Sequence, residues 1–262
     1  MKKTRITSIP FSDIPSEVAS LAEGMPIYDS SSSPEARVYF IDREGGFYAK
    51  RAERGTLRNE GMMTDYFHSI GLAPRVEYYI ESEYDWLVTR AADGEDLTSE
   101  RYLSDPRRLA VMIGENLRSL HERSISGCPP RDRVTEYLSL AERNYRTGNY
   151  DKTHFPDSFG YASAEDAWAR ISKHGSTLCS EVLIHGDYCL PNIIAKDGKI
   201  REYIDLGAAG IGDRHIDIFW GVFTLEFNTG TDRYKDLFLD AYGRDRIDEE
   251  KLLTVAAAEV FG

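Results

Sequence analysis

Three side chains, Asp187, Asn192 and Asp205, have the types and spacing that phosphoryl transfer asks for. Asp187 and Asn192 lie in His185-Gly186-Asp187-Tyr188-Cys189-Leu190-Pro191-Asn192, directly after the apolar run Val182-Leu183-Ile184. Asp205 ends a second apolar run and is followed by Leu206-Gly207. Phosphoryl transfer needs one carboxylate to orient the attacking hydroxyl, and an amide and a second carboxylate to hold the metal bridging the phosphates. Each turn taken alone reads as an ordinary polar turn at a strand's end. Both together, in this order and each straight after an apolar run, favour the chemical reading. Between them Asp197-Gly198 favours a two-residue hairpin turn. In that register Asn192 faces Tyr203 and lies diagonal to Asp205, about 7–8 Å away, a separation at which two hard oxygen ligands can share magnesium.

The elements that must position these groups can be read on both sides of them. Asp-x4-Asn followed by Asp-x-Gly matches the catalytic loop and metal-binding Asp of the kinase signatures, with Gly186 where protein kinases carry Arg. Upstream, Lys50 closes a strand beginning at Gly46, and a helix follows from Gly55 to Ser69. Met63, Phe67 and Ile70 share one stripe of that helix with Glu60. A carboxylate on a buried face costs several kcal/mol unless paired, and Lys50 is the natural partner. A Lys held by a Glu aims an ammonium at the α- and β-phosphates; the alternative is an exposed Glu at the helix rim. Ser31 and Ser32, in the run Ser30 to Ser33, offer N–H groups and hydroxyls that suit phosphate oxygens, although no Gly-rich phosphate motif is present and a plain loop is the alternative.

Residues 1–24 read as a short leader with a helix from Pro15 to Glu23 and no assigned chemistry. Strands are expected over Pro26–Tyr28, Ala36–Ile41, Gly46–Lys50, Arg75–Glu81 and Tyr84–Arg90. The small residues of 91–97 suit a hinge whose backbone edge pairs with a purine base, giving a division into 1–90, 91–97 and 98–262. Beyond it the pattern turns helical: Asp105-Pro106 to Ser124, Arg133 to Arg146, Ser163 to His174, Asp213 to Phe227, Asp232 to Tyr242 and Asp248 to Phe261. His121, at the end of the first of these, reads as a core or capping residue. Asp217 can brace the catalytic loop by accepting its N–H groups. The last helix should turn Leu252, Leu253, Val255, Ala256 and Val260 inward.

A net charge of −12 argues against a nucleic-acid partner and is compatible with a cationic substrate. Three cysteines without paired metal-ligand spacing suit reduced thiols. No apolar run approaches the roughly 20 residues of a membrane span, and Ser8, Pro10, Ser12 and Asp13 interrupt any signal-peptide core. A cytoplasmic protein without membrane partners is expected.

The run from His185 to Asn192, continuing through Ile204-Asp205-Leu206-Gly207 to Asp213-Arg214-His215-Ile216-Asp217, resembles the aminoglycoside phosphotransferases. Within them it is similar to the 3'-phosphotransferase group of kanamycin and neomycin kinases. The resemblance implies an α+β, bilobal, protein-kinase-like fold: a small antiparallel β-sheet N-lobe with one helix, and a larger, mainly helical C-lobe. It implies ATP or GTP with Mg2+, and transfer of the γ-phosphoryl group to a hydroxyl of a cationic aminoglycoside. On that basis Asp187 orients the sugar hydroxyl, and Asn192 and Asp205 ligate magnesium. Lys50, held by Glu60, meets the α- and β-phosphates, and the backbone of Arg90 and Ala92 meets the base. Asp157, Glu226 and Glu259 receive the drug's ammonium groups. The chain departs from the family pattern in having Ala208-Ala209 where an Arg is usual after the metal-binding Asp, and Gly262 after the aromatic Phe261. A kinase of another small alcohol, such as choline, homoserine or a macrolide, is the first rival, and a noncatalytic nucleotide-binding module the second.

Overall fold

The computed structural model describes residues 3–150 and 160–262. They form two compact units, Met1–Ser99 with Pro191–Ala208, and Glu100–Leu190 with Ala209–Gly262. A contiguous cut at 91–97 therefore differs from the observed division, in which 191–208 belongs with the N-terminal residues.

In the first unit β1 (Thr4–Ile6), β2 (Ile27–Asp29), β3 (Ala36–Ile41), β4 (Phe47–Glu53), β5 (Val76–Glu81) and β6 (Tyr84–Arg90) make an antiparallel sheet of order β1-β2-β3-β4-β6-β5. Alternation sorts its faces. Tyr39, Ile41, Ala49, Trp86 and Val88 point into a core with Val18 of α1 (Ser16–Ala22). On the opposite face Ala52 and Leu87 meet Leu57, just before α2 (Arg58–Ser69), whose Met63 and Phe67 are fully buried. The supposed leader thus supplies an edge strand, a pairing with β2 that a three-residue segment does not announce. Lys50 lies in the middle of β4, not at its end: Arg51, Ala52 and Glu53 continue the strand because β3 and β6 pair with it on both sides.

The smaller sheet of this unit joins β7 (Glu95–Asp96), β9 (Ile193–Lys196) and β10 (Lys199–Tyr203) in the order β10-β9-β7. Asp197 and Gly198 make the expected turn, with φ of 54° and 74°. The register differs. A bulge between Ile200 and Glu202 leaves Tyr203 opposite Ile193, so Asn192 faces Ile204, whose N–H donates to the Asn192 carbonyl at 3.0 Å. The extra residue in the strand carries Tyr203 into the core, 1% exposed, edge-on to Phe67.

The second unit is mainly helical: α3 (Glu100–Leu103), α4 (Pro106–His121), α5 (Arg133–Thr147), α6 (Ala164–His174), α7 (Arg214–Thr229), α8 (Lys235–Tyr242) and α9 (Glu249–Glu259). Asp105, Asp132, Ser163, Asp213 and Asp248 cap five of these through their side chains. A two-stranded ladder, β8 (Val182–Ile184) with β11 (Gly210–Gly212), ends three residues before Asp187 at one side and directly before Asp213 at the other. In α9 Leu252 is half-buried and Leu253 46% exposed, against expectation, while Thr254 to Phe261 are all buried. The small Ala257 and Ala258 let α9 sink between α5 and α6, where Ala141, Ala164, Ala167 and Ile171 meet it, so burial there follows position along the helix more than one stripe. Among the described residues no helix is long and apolar enough to cross a membrane.

Candidate active site

A cavity is built in the first unit on the sheet face opposite Trp86. Val38 and Phe40 of β3, Tyr48 and Lys50 of β4, and Leu87 and Thr89 of β6 line this cavity of about 670 Å³. Such a volume suits a small-molecule ligand. At one end Lys50 Nζ lies 2.7 Å from Glu60 Oε2 and 2.9 Å from Asp205 Oδ1. Burial pulls the ammonium's pKa down, but the two carboxylates outweigh it and hold it above the ordinary value, so Lys50 is charged. Asp205 reaches this position from a left-handed backbone, φ 58°, sparsely populated by non-glycine residues and tolerated best by Asp and Asn. Its side chain remains 52% exposed, whereas Asn192 is buried at 7%.

Ser32 lines the cavity together with Ser30, which is 4% exposed and was not singled out from the sequence. Ser31 is turned into its own loop: its N–H donates to Asp29 Oδ1 at 2.9 Å and its hydroxyl accepts from Val38 N–H at 3.0 Å. Arg90 and Ala92 line the cavity too. The Arg90 N–H, however, donates to the Arg75 carbonyl at 2.9 Å and the Ala91 N–H to Gly46 at 3.0 Å. A base edge at 90–92 must therefore use other backbone groups.

Asp187 stands in the second unit on a loop whose backbone is clamped. Asp217 accepts from His185 N–H at 2.8 Å through Oδ2 and from Gly186 N–H at 2.7 Å through Oδ1. Gly186 has φ 84°, which explains why a side chain is absent there. Fully buried His121 is kept neutral by burial, which lowers its pKa. Its Nε2 therefore donates to Asp217 at 3.1 Å, and its Nδ1 accepts from the Tyr242 hydroxyl at 2.9 Å. Further along, Leu190 N–H donates to Thr224 Oγ1 at 3.1 Å and Tyr188 donates to the Ile113 carbonyl at 3.0 Å. Burial, with the neighbouring Asp187 charge, pushes the Cys189 thiol well above its usual range, so it offers no thiolate.

Glu259 is buried, and its Oε1 accepts from the Tyr137 hydroxyl at 2.7 Å and Trp220 Nε1 at 3.1 Å. Burial lifts its pKa to about 7, with the Asp187 charge adding to the rise and the two donors opposing it. Glu226 is exposed on α7, and Asp157 lies outside the described residues. Tyr137 and Trp220 were not assigned a role from the sequence.

A profile of the phosphotransferase enzyme family matches residues 31–253. The chain belongs to this family. A probable aminoglycoside 3'-phosphotransferase of Lactococcus lactis subsp. lactis is 43% identical over 264 residues, covering 100% of this chain and 99% of the relative. Among solved structures, an aminoglycoside-3'-phosphotransferase of type VIII shares 25% identity with a TM-score of 0.71, covering 88% of this chain and 91% of the other. The aminoglycoside phosphotransferase of Streptomyces rimosus, solved with ADP and streptomycin, agrees in fold at a TM-score of 0.69 and 22% identity, over 86% of this chain and 91% of that one. This likeness in fold agrees with the α+β architecture that the family resemblance implied.

Proposed function

We propose that this phosphotransferase moves the γ-phosphoryl group of a nucleoside triphosphate, ATP or GTP, to a hydroxyl of an aminoglycoside antibiotic and thereby confers resistance. The observation that carries the reading is the Lys50 ammonium held between Glu60 and Asp205 at the end of a nucleotide-sized cavity. Its charge is matched to α- and β-phosphate oxygens, and Glu60 keeps it aimed at them. The names of the relatives support an aminoglycoside as acceptor over choline, homoserine or a macrolide.

The donor set is suited to magnesium. Among the described residues no cluster of three His, Cys, Asp or Glu side chains could cage a metal. One carboxylate, Asp205, with one amide, Asn192, fits the ion that keeps its waters and takes phosphate oxygens instead of an all-protein shell. Bound there, magnesium would neutralise charge on the phosphates. Asp187 accepts the hydrogen bond of the attacking hydroxyl and aims its oxygen. Because the transition state is loose, positioning and charge neutralisation carry most of the rate, so Asp187 need not be a strong base. The clamp from Asp217 keeps the Asp187 backbone from moving as the acceptor arrives. Glu259, Glu226 and Asp157 are the acids proposed for the acceptor's ammonium groups.

Coupled ADP release from purified protein with ATP and magnesium tests this, comparing kanamycin, neomycin, choline and no acceptor, with Asp187→Ala as control. Release that depends on kanamycin or neomycin and vanishes in the variant is expected. Release indifferent to the acceptor, or retained in Asp187→Ala, would defeat the assignment.

A further inference from the structure

Asp85 is a costly residue in a place where sequence alone would accept valine. It lies on β6, a strand paired on both sides, opposite Ala52 and Glu81, and is completely buried. A buried carboxylate is tolerated only where donors repay its lost hydration. Here Oδ2 accepts the Leu57 N–H at 2.9 Å and the Tyr79 hydroxyl at 3.1 Å, while Oδ1 has no hydrogen-bond partner among the described residues.

Leu57 is the N-cap residue directly before α2, and it supplies no side-chain cap. The cap comes instead from a strand 28 positions on in the chain. Glu60 lies in the first turn that this contact secures, and its carboxylate holds Lys50. The turn packs on the same strand: a Cβ at Gly61 would lie 3.4 Å from Leu87 Cδ1, two residues beyond Asp85 on the same face of β6.

We propose that Asp85 is a positioning residue for nucleotide binding, acting through the first turn of α2 on Glu60 and hence on the aim of Lys50. The proposal rests on the reading of Lys50 as the phosphate-contacting residue. Losing the cap frees the first turn, so Glu60 samples positions in which it does not hold the ammonium, and the donor site loses affinity while Asp187 and the acceptor acids are untouched.

Calorimetric titration of the protein with Mg·ADP, alongside steady-state kinetics, tests it. Asp85→Ala should weaken Mg·ADP about fivefold, the equivalent of roughly 1 kcal/mol expected for a lost N-cap, at unchanged stoichiometry. The acceptor KM should stay within about twofold. Asp85→Asn, whose amide oxygen still accepts from Leu57 N–H, should restore binding to near wild type and serves as the informative variant if the alanine protein does not fold. In a Glu60→Gln background Asp85→Ala should add less than a twofold loss. Equal weakening by Asn and Ala, a full additional loss in the Glu60→Gln background, or a parallel rise in acceptor KM would overturn the proposal. Lys50→Ala in the same titration separates the two levels: unchanged Mg·ADP affinity there would remove the underlying nucleotide reading as well.

Discussion

Glu259→Gln converts a buried titrating acid into a neutral side chain of the same shape. The wild-type carboxyl moves from 4.5 to about 7 on folding. Burial is the largest cause, the Tyr137 hydrogen bond opposes it, the Asp187 charge adds to it and Trp220 again opposes. The folded chain thus binds this proton more tightly than the unfolded chain does. Below pH 4.5 both states are protonated and the neutral acid's contribution is fully present. As pH rises through about 7 the folded carboxyl must ionise in place, and that contribution is lost. A rise of this size is worth about 3 kcal/mol. Gln keeps an acceptor oxygen for Tyr137 and Trp220 and removes the proton. Urea unfolding at pH 5 and pH 8 should therefore show wild type losing roughly 2–3 kcal/mol relative to the variant over that interval, part of the loss already lying below pH 5. If Glu259 receives an ammonium group of the acceptor, as proposed, catalysis should respond in the opposite sense: the wild-type acceptor KM should fall between pH 6 and 8, and that of Glu259→Gln should change less. Identical pH dependence of stability in the two proteins would show that Glu259 does not titrate in this range.

Other perturbations test further residues one at a time. Asp205→Ala should weaken magnesium-dependent binding of nucleotide, read by titration with and without the metal; equal affinity in the two proteins would place the metal elsewhere. Asp217→Ala leaves His185 N–H, Gly186 N–H and His121 Nε2 without their buried acceptor. A stability loss on the order of 3–5 kcal/mol is expected from urea unfolding, with turnover nearly abolished, and near-normal values of both would refute the bracing of the catalytic loop. Gly114→Ala sets two effects against each other. Helix propensity favours Ala by up to about 1 kcal/mol, but its Cβ would lie 2.6 Å from the Phe238 carbonyl, where α4 meets α8. Backbone cannot yield cheaply, so a net loss of roughly 1–2 kcal/mol and a melting temperature lower by roughly 2–8 °C are expected. A stabilised variant would mean that the two helices separate freely.

What could be read from the sequence alone depends on interactions that close within a few residues. The spacing of Asp187 and Asn192 after an apolar strand, the Asp197-Gly198 turn, and helix starts at Asp105-Pro106 and Asp213 are local, and the structure has each of the turn and the starts where they were expected. The Lys50–Glu60 pair was legible for another reason: an acid on an apolar helix stripe is so unfavourable unpaired that it demands a cation, and Lys50 is near in sequence. The bulge that turns Asn192 toward Ile204, the left-handed backbone of Asp205 and the pairing of β1 depend on which face the surrounding structure buries. Asp85 reads as a strand residue until α2 is set against β6, and the sequence alone gives Glu259 as an acid for an ammonium group without showing that α5, α6 and α7 bury it against an alanine-rich α9. Their burial, partners and charge come from residues distant along the chain. Chemical type and spacing were therefore matters of sequence, whereas orientation, capping from afar and proton affinity were decided by tertiary packing, because desolvation acts only once the neighbours are in place.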